Sequence, residues 1–269
     1  MGGAEVTWLA PGIACDIGVR EGYDADAVRR ALKTLIGGTP VDVVVQEALN
    51  RRKKLLIADM DSTMIGQECI DELAAEVGVK DRVAEITVRA MNGEIEFEPA
   101  LRERVALLAG LPVSAVENVI ANRITLSAGG RQLVATMRAN GAWTALVSGG
   151  FTLFTGPIAA RLGFDEHRAN SLDTVGDRFS GTVTEPILGR QAKIDALDEI
   201  AARLGLTTAD AIAVGDGAND LGMIGRAGAG VALHAKPSVS AKAGIRIDHG
   251  DLTALLYLQG YSQADFVAS

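Results

Sequence analysis

Three short apolar runs punctuate the chain: Leu55-Leu56-Ile57-Ala58, Ala145-Leu146-Val147 and Ala211-Ile212-Ala213-Val214. Each stops at a polar or glycine-rich loop, before Asp59, Ser148 and Gly215. Continuous apolar runs of this length fit strands buried on both faces, and helical patterns separate them. The alternation predicts an α/β fold, a doubly wound core around a largely parallel sheet.

About ninety residues lie between the first two runs, far more than one crossover helix requires. Ile70, Leu73, Ala74 and Val77 follow the spacing of a one-faced helix. Val83, Ile86 and Ala90 mark a second helix, and Phe97, Leu101, Val105 and Leu108 a third. Ser114 through Glu117 has the form of a capping box opening a fourth, with Val116, Val119 and Ile120 inward. A further helix near 129–139 stops at Asn140-Gly141. The spacing therefore predicts a small helical bundle over residues 66–135, sitting over the carboxyl end of the first strand and inserted into a core of residues 53–65 and 136–269. Residues 1–52 read as a small βαβ piece: a strand at Val6–Leu9, a helix at Asp24–Ile36 and a strand at Val41–Gln46.

Composition narrows the function classes. The 269 residues carry 26 Lys+Arg and 34 Asp+Glu, a net charge of −8, which argues against a nucleic-acid partner. With 48% hydrophobic residues the chain can bury a large core. No run reaches membrane-spanning length, and the first thirty residues lack the pattern of a secretory signal. Cys15 and Cys69 are too few for a disulfide framework or a four-cysteine zinc site. The expectation is a reduced, soluble, cytoplasmic protein acting on a small molecule, with homodimerisation open.

The candidate chemistry sits where the apolar runs end. Asp59 and Asp61 are two apart in LLIADMDST, so strand alternation would send both toward one crevice. Two carboxylates about 4 Å apart repel by about 4 kcal/mol at an effective dielectric near 20, and so call for a cation or a shared proton. A solvated acidic turn would also explain such a pair. VGDGAND adds Asp216 and Asp220, which alone also fit an Asp-Gly turn followed by a helix cap. Taken together, the four carboxylates favour Mg²⁺ over zinc. His167, His234 and His249 lie outside these stretches, leaving a histidine metal site or triad without support. Ser148-Gly149-Gly150, just past a strand, can offer a hydroxyl and backbone N–H groups to phosphate. Lys193 falls in the first turn of a helix, where a lysine is unfavourable unless solvated or beside an anion.

DxDST, a strand-terminal Ser-Gly-Gly, a later Lys and GDGANDxxM, in this order, resemble the haloacid dehalogenase superfamily of phosphohydrolases, with its Rossmann-like core and helical cap. DMDSTMIGQECIDELA and MNGEIEFEPALRERVALLAGLP are similar to the phosphoserine phosphatase family within it, over about residues 53–260. The resemblance implies Mg²⁺-dependent hydrolysis of phosphoserine, the last step of serine biosynthesis, with Asp59 as nucleophile and Asp61 as acid and base. It implies that Mg²⁺ is held by Asp59, the Asp61 backbone carbonyl and Asp216, with Asp220 behind them. It places Ser148, Gly149, Lys193 and Asn219 on the phosphoryl group, Glu68 on the substrate ammonium, Arg104 on its carboxylate, and Met91 and Phe97 over the substrate. Transfer to homoserine, another small phosphomonoester, or a non-catalytic phospho-receiver or amino-acid sensor are the alternatives. Pro157, seven residues after Gly150, is expected to kink or restart the helix that follows the Ser-Gly-Gly turn.

Overall fold

The computed structural model describes residues 5–19, 22, 24–91 and 94–268, with the side chains of Lys33 and Met91 outside that set. The N-terminal region departs from the βαβ expectation. β1 (Val6–Ala10) and β2 (Ala14–Ile17) form an antiparallel hairpin around Pro11-Gly12, where Gly12 takes φ 73°, and α1 (Ala25–Ile36) follows. Residues 41–47 join no strand. Side chains fasten them instead: Asp42 accepts backbone N–H bonds from Asp248, His249 and Gly250, and Gln46 donates to the Leu258 carbonyl.

β3 (Leu55–Ala58) enters the core, and the chain then leaves it for four helices: α2 (Cys69–Glu76), α3 (Lys80–Met91), α4 (Phe97–Ala106) and α5 (Ala115–Asn122). These match the four stripes, although Ser114 makes no side-chain capping bond because its own backbone is already helical. α6 (Gly130–Ala139) packs on the two elements that follow it and on the last α-helix of the chain. It leads to β4 (Trp143–Phe151), α7 (Thr152–Leu162), β5 (Glu166–Asn170) and the antiparallel pair β6 (Leu172–Val175) and β7 (Arg178–Val183). α8 (Arg190–Arg203), β8 (Ala211–Gly215), α9 (Leu221–Arg226), β9 (Ala229–Leu233), α10 (Pro237–Ser240), β10 (Ile245–Ile247) and α11 (Ala254–Leu258) complete the chain. α7 runs through Pro157 without interruption, so its N-terminus follows the Ser-Gly-Gly segment directly.

The main sheet has six parallel strands in the order β10-β9-β8-β3-β4-β5. Alternation along β3 sorts the core into two layers. Leu56 and Ala58 join the layer that reaches the cap, while Leu55 and Ile57 pack with Leu197 and Ile200 of α8. Both faces are covered, which is why these strands read as unbroken apolar runs. The β6–β7 hairpin clasps the cap through backbone bonds from Gly110 N–H to the Phe179 carbonyl and from Val113 N–H to the Asp177 carbonyl.

Candidate active site

The adjacent strands β8, β3 and β4 end at one crevice, where Asp216 and Asp59 follow the first two and Ser148 lies within the last. Asp59 extends the ladder by one bond, its N–H donating to the Val214 carbonyl at 3.0 Å. Its Oδ1 accepts from Met60 N–H at 2.8 Å and pairs with Lys193 Nζ at 2.8 Å. Lys193 also pairs with Asp220 Oδ1 at 2.6 Å. Asp220 Oδ2 accepts from Gly217 N–H, and Asp216 Oδ1 accepts from the Thr63 hydroxyl at 2.9 Å. Carboxylate oxygens of Asp59, Asp216 and Asp220 lie within 4.8 Å of one another, all three residues buried. A Cβ on Gly215 would collide with the Asp220 carboxyl, so that position has to be glycine.

Burial opposes the charge on Lys193, but Asp220 and Asp59 outweigh it and raise its pKa, keeping the ammonium charged. Asp216 is pushed up to about 8, first by burial and then by Asp59 and Asp220. One ammonium against three carboxylates gives 1 − 3 = −2 when all are ionised. Such a donor set asks for a hard divalent cation.

Asp61 goes elsewhere. Strand pairing ends at Asp59, and residues 60–64 wrap into one wide turn closed by Ile65 N–H on the Met60 carbonyl at 3.1 Å. Asp61 is extended within it and Ser62 is left-handed at φ 54°. The Asp61 carboxyl therefore stands apart from the cluster of Asp59, Asp216 and Asp220, on the Ser148 and Gly150 side of the crevice. Oδ1 accepts from Cys69 N–H at 3.1 Å, and Oδ2 lies 2.8 Å from where a Cβ on Gly150 would stand. Burial, then Glu68 and Asp59, push Asp61 up to about 8 despite the Cys69 bond.

Ser148-Gly149-Gly150 belongs to the irregular last turns of β4, not to a loop beyond it. Ser148 Oγ accepts from Gly150 N–H at 2.9 Å. Asn170, which sequence reading passed over, donates to the Gly149 carbonyl at 2.8 Å and the Leu188 carbonyl at 3.2 Å. It thereby ties this segment to the approach of α8. Asn219 is half-buried, its side chain folded over Gly217.

The cap closes the crevice. The Phe97 ring rests on two glycines, 3.1 Å from a Cβ position on Gly149 and 3.3 Å from one on Gly189. Glu68, at the start of α2, accepts from Ser62 Oγ at 2.7 Å, and burial raises its pKa. Arg104 is 6% exposed, so it does not snorkel; burial lowers its pKa while Glu68, Asp71 and Asp61 oppose that shift. Met91 ends α3, and its side chain lies outside the described residues. Sequence reading also missed Ser62, Thr63, Asp71 and Thr87, although Ser62 and Thr63 sit inside the DxDST stretch it singled out.

The haloacid dehalogenase-like hydrolase family model matches residues 56–224, more than half of the chain. The chain belongs to the haloacid dehalogenase-like hydrolases. A phosphoserine phosphatase of Streptomyces coelicolor is 41% identical over 250 residues, covering 92% of this chain and 61% of that protein. A haloacid dehalogenase family hydrolase structure from Salmonella enterica superposes with a TM-score of 0.83 at 33% identity, over 91% of this chain and 84% of that one. A substrate-bound phosphoserine phosphatase structure gives a TM-score of 0.73 at 40% identity, over 76% and 97%.

For a haloacid dehalogenase-like hydrolase the donor set is coherent. Oxygen-only ligands with residual negative charge fit Mg²⁺, the cation of this family. Asp220 has both oxygens engaged, by Lys193 and by the Gly217 N–H.

Proposed function

We propose that this hydrolase cleaves O-phospho-L-serine to L-serine and phosphate. The observation that carries the reading is the separation of the two carboxyls of the loop after β3, one beside a lysine and one set to hold a proton.

In that scheme Asp59 attacks phosphorus in line, forming a bond from its oxygen as the bond to the seryl oxygen breaks. Asp61, protonated near neutrality, gives its proton to the departing seryl oxygen. It then takes a proton from the water that attacks the aspartyl-phosphate, releasing phosphate and restoring Asp59. Lys193, Ser148, the Gly149 backbone and Asn219 hold the equatorial phosphoryl oxygens, where charge stabilisation supplies most of the rate. Asp59, the Asp61 backbone carbonyl and Asp216 would hold Mg²⁺, whose charge lowers the repulsion between the phosphate and Asp59.

Selection of serine belongs to the cap. Glu68 receives the ammonium, Arg104 forks onto the carboxylate, and Phe97, with Met91, excludes water. The free thiols of Cys15 and Cys69 are consistent with a reducing, cytoplasmic setting.

A phosphate-release panel with and without Mg²⁺ tests the reading. Phosphoserine is expected to be turned over faster than phosphoethanolamine or sugar phosphates, and only with the cation. Indifference to the amino-acid moiety would remove the substrate assignment, and phosphohomoserine formed on adding homoserine would redirect it to transfer.

A further inference from the structure

We propose that Thr87 is a positioning residue that aims the Arg104 guanidinium and so sets the selectivity for substrates bearing a carboxylate. This rests on the reading of Arg104 as the carboxylate partner.

Three cap helices meet at this point. Arg104 of α4 donates from Nε to the Ala100 carbonyl at 3.1 Å and from Nη1 to the Thr87 hydroxyl of α3 at 2.9 Å. Thr87 Oγ1 lies 3.0 Å from the Val83 carbonyl one turn earlier and 3.4 Å from Asp71 Oδ1 of α2. A guanidinium has five N–H donors. Two are fixed to protein acceptors, and among the described residues no hydrogen-bond acceptor meets the other three, on Nη1 and Nη2, the number and placement a carboxylate fork needs. Asp71 adds a compensating negative charge beside the same guanidinium. Burial raises the Asp71 pKa, although Arg104 and the Thr87 bond pull against that shift.

The residue type is informative. Val83, Ile86, Thr87 and Ala90 occupy one helix face at i, i+3, i+4 and i+7, and Thr87 is the polar member, 5% exposed. Packing alone would be served by the isosteric valine. The hydroxyl proton goes to the helix's own Val83 carbonyl or to Asp71, leaving the oxygen lone pairs turned to Arg104. Thr87 thus acts through Arg104 and touches neither phosphate nor the reacting atoms in the scheme above.

Steady-state kinetics with Mg²⁺, on phosphoserine and on p-nitrophenyl phosphate, separate this role from a structural one. Loss of one charge-assisted bond predicts that Thr87→Val raises KM for phosphoserine about tenfold with kcat within about twofold. The rise with p-nitrophenyl phosphate is expected to be at least about fivefold smaller, and Thr87→Ser restores the phosphoserine value. In an Arg104→Ala background Thr87→Val is expected to add nothing on phosphoserine, since the cycle removes the shared interaction. Equal effects on both substrates, failure of serine to rescue, or full additivity with Arg104→Ala would overturn the proposal. A wild-type enzyme indifferent to the carboxylate would overturn the substrate reading and this proposal with it. A selective wild type with an unaffected Thr87→Val overturns this proposal alone.

Discussion

Lys193 Nζ stands 2.8 Å from Asp59 Oδ1 with the lysine side chain 0% exposed, so an ion pair shut off from solvent ties β3 to α8. The same ammonium reaches Asp220 at 2.6 Å, which makes one lysine the shared counter-charge of two carboxylates on different loops. In water such a pair contributes little, but inside the protein the loss of one partner strands the others.

Lys193→Met should therefore destabilise the metal-free fold by about 3 kcal/mol or more, as removing one member of a buried ion pair does. Adding Asp220→Asn should recover part of that loss without restoring phosphate release. Chemical denaturation of the single and double variants measures both, and an unaffected midpoint in Lys193→Met would contradict the pairing.

Gly150→Ala should disable the proton-transfer group while leaving the fold intact. The new Cβ would stand 2.8 Å from Asp61 Oδ2 and 3.1 Å from Ser148 Oγ, so the Asp61 carboxyl has to move. Displacement on that scale costs about a hundredfold in kcat when geometry governs the step. Wild-type kcat in this variant would mean that Asp61 acts from another position.

Stability should depend on pH in a direction set by Asp61 and Asp216. Their folded-state values of about 8 exceed the ordinary 3.8, so the folded chain binds more protons than the unfolded one between these limits. Their contribution is complete below the unfolded value and is lost as pH rises through about 8. The melting midpoint of metal-free protein should fall between about pH 6 and about pH 8.5. Mg²⁺ binds the ionised form and should raise the midpoint more at the higher pH. A midpoint that climbs with pH in the absence of metal would reverse the sign of this argument.

The sheet and cap were legible because burial wrote them locally. β3, β4 and β8 are covered on both sides and read as apolar runs, and four cap helices carry one-faced stripes. What was illegible depended on backbone turns or distant partners. The wide turn at 60–64 separates Asp61 from Asp59, and nothing in a strand pattern announces a left-handed Ser62. Thr63 meets Asp216 across 153 residues and Asn170 reaches Leu188 across 18, so neither bond leaves a local trace. Other misses had signals. Pro11-Gly12 between two β-rich segments marks a hairpin, and Thr87 interrupts an otherwise apolar face.

The hairpin of β6 and β7 gives the cap a built-in gauge. Gly110 and Val113 donate their amide protons to Phe179 and Asp177, and Phe179 donates back to Leu111. The three bonds form a short seam between lid and scaffold, and they must part whenever the whole lid swings away. Deuterium uptake at those three amides consequently times that excursion, whereas slow uptake there during steady turnover means that molecules enter and leave by a smaller shift near Phe97.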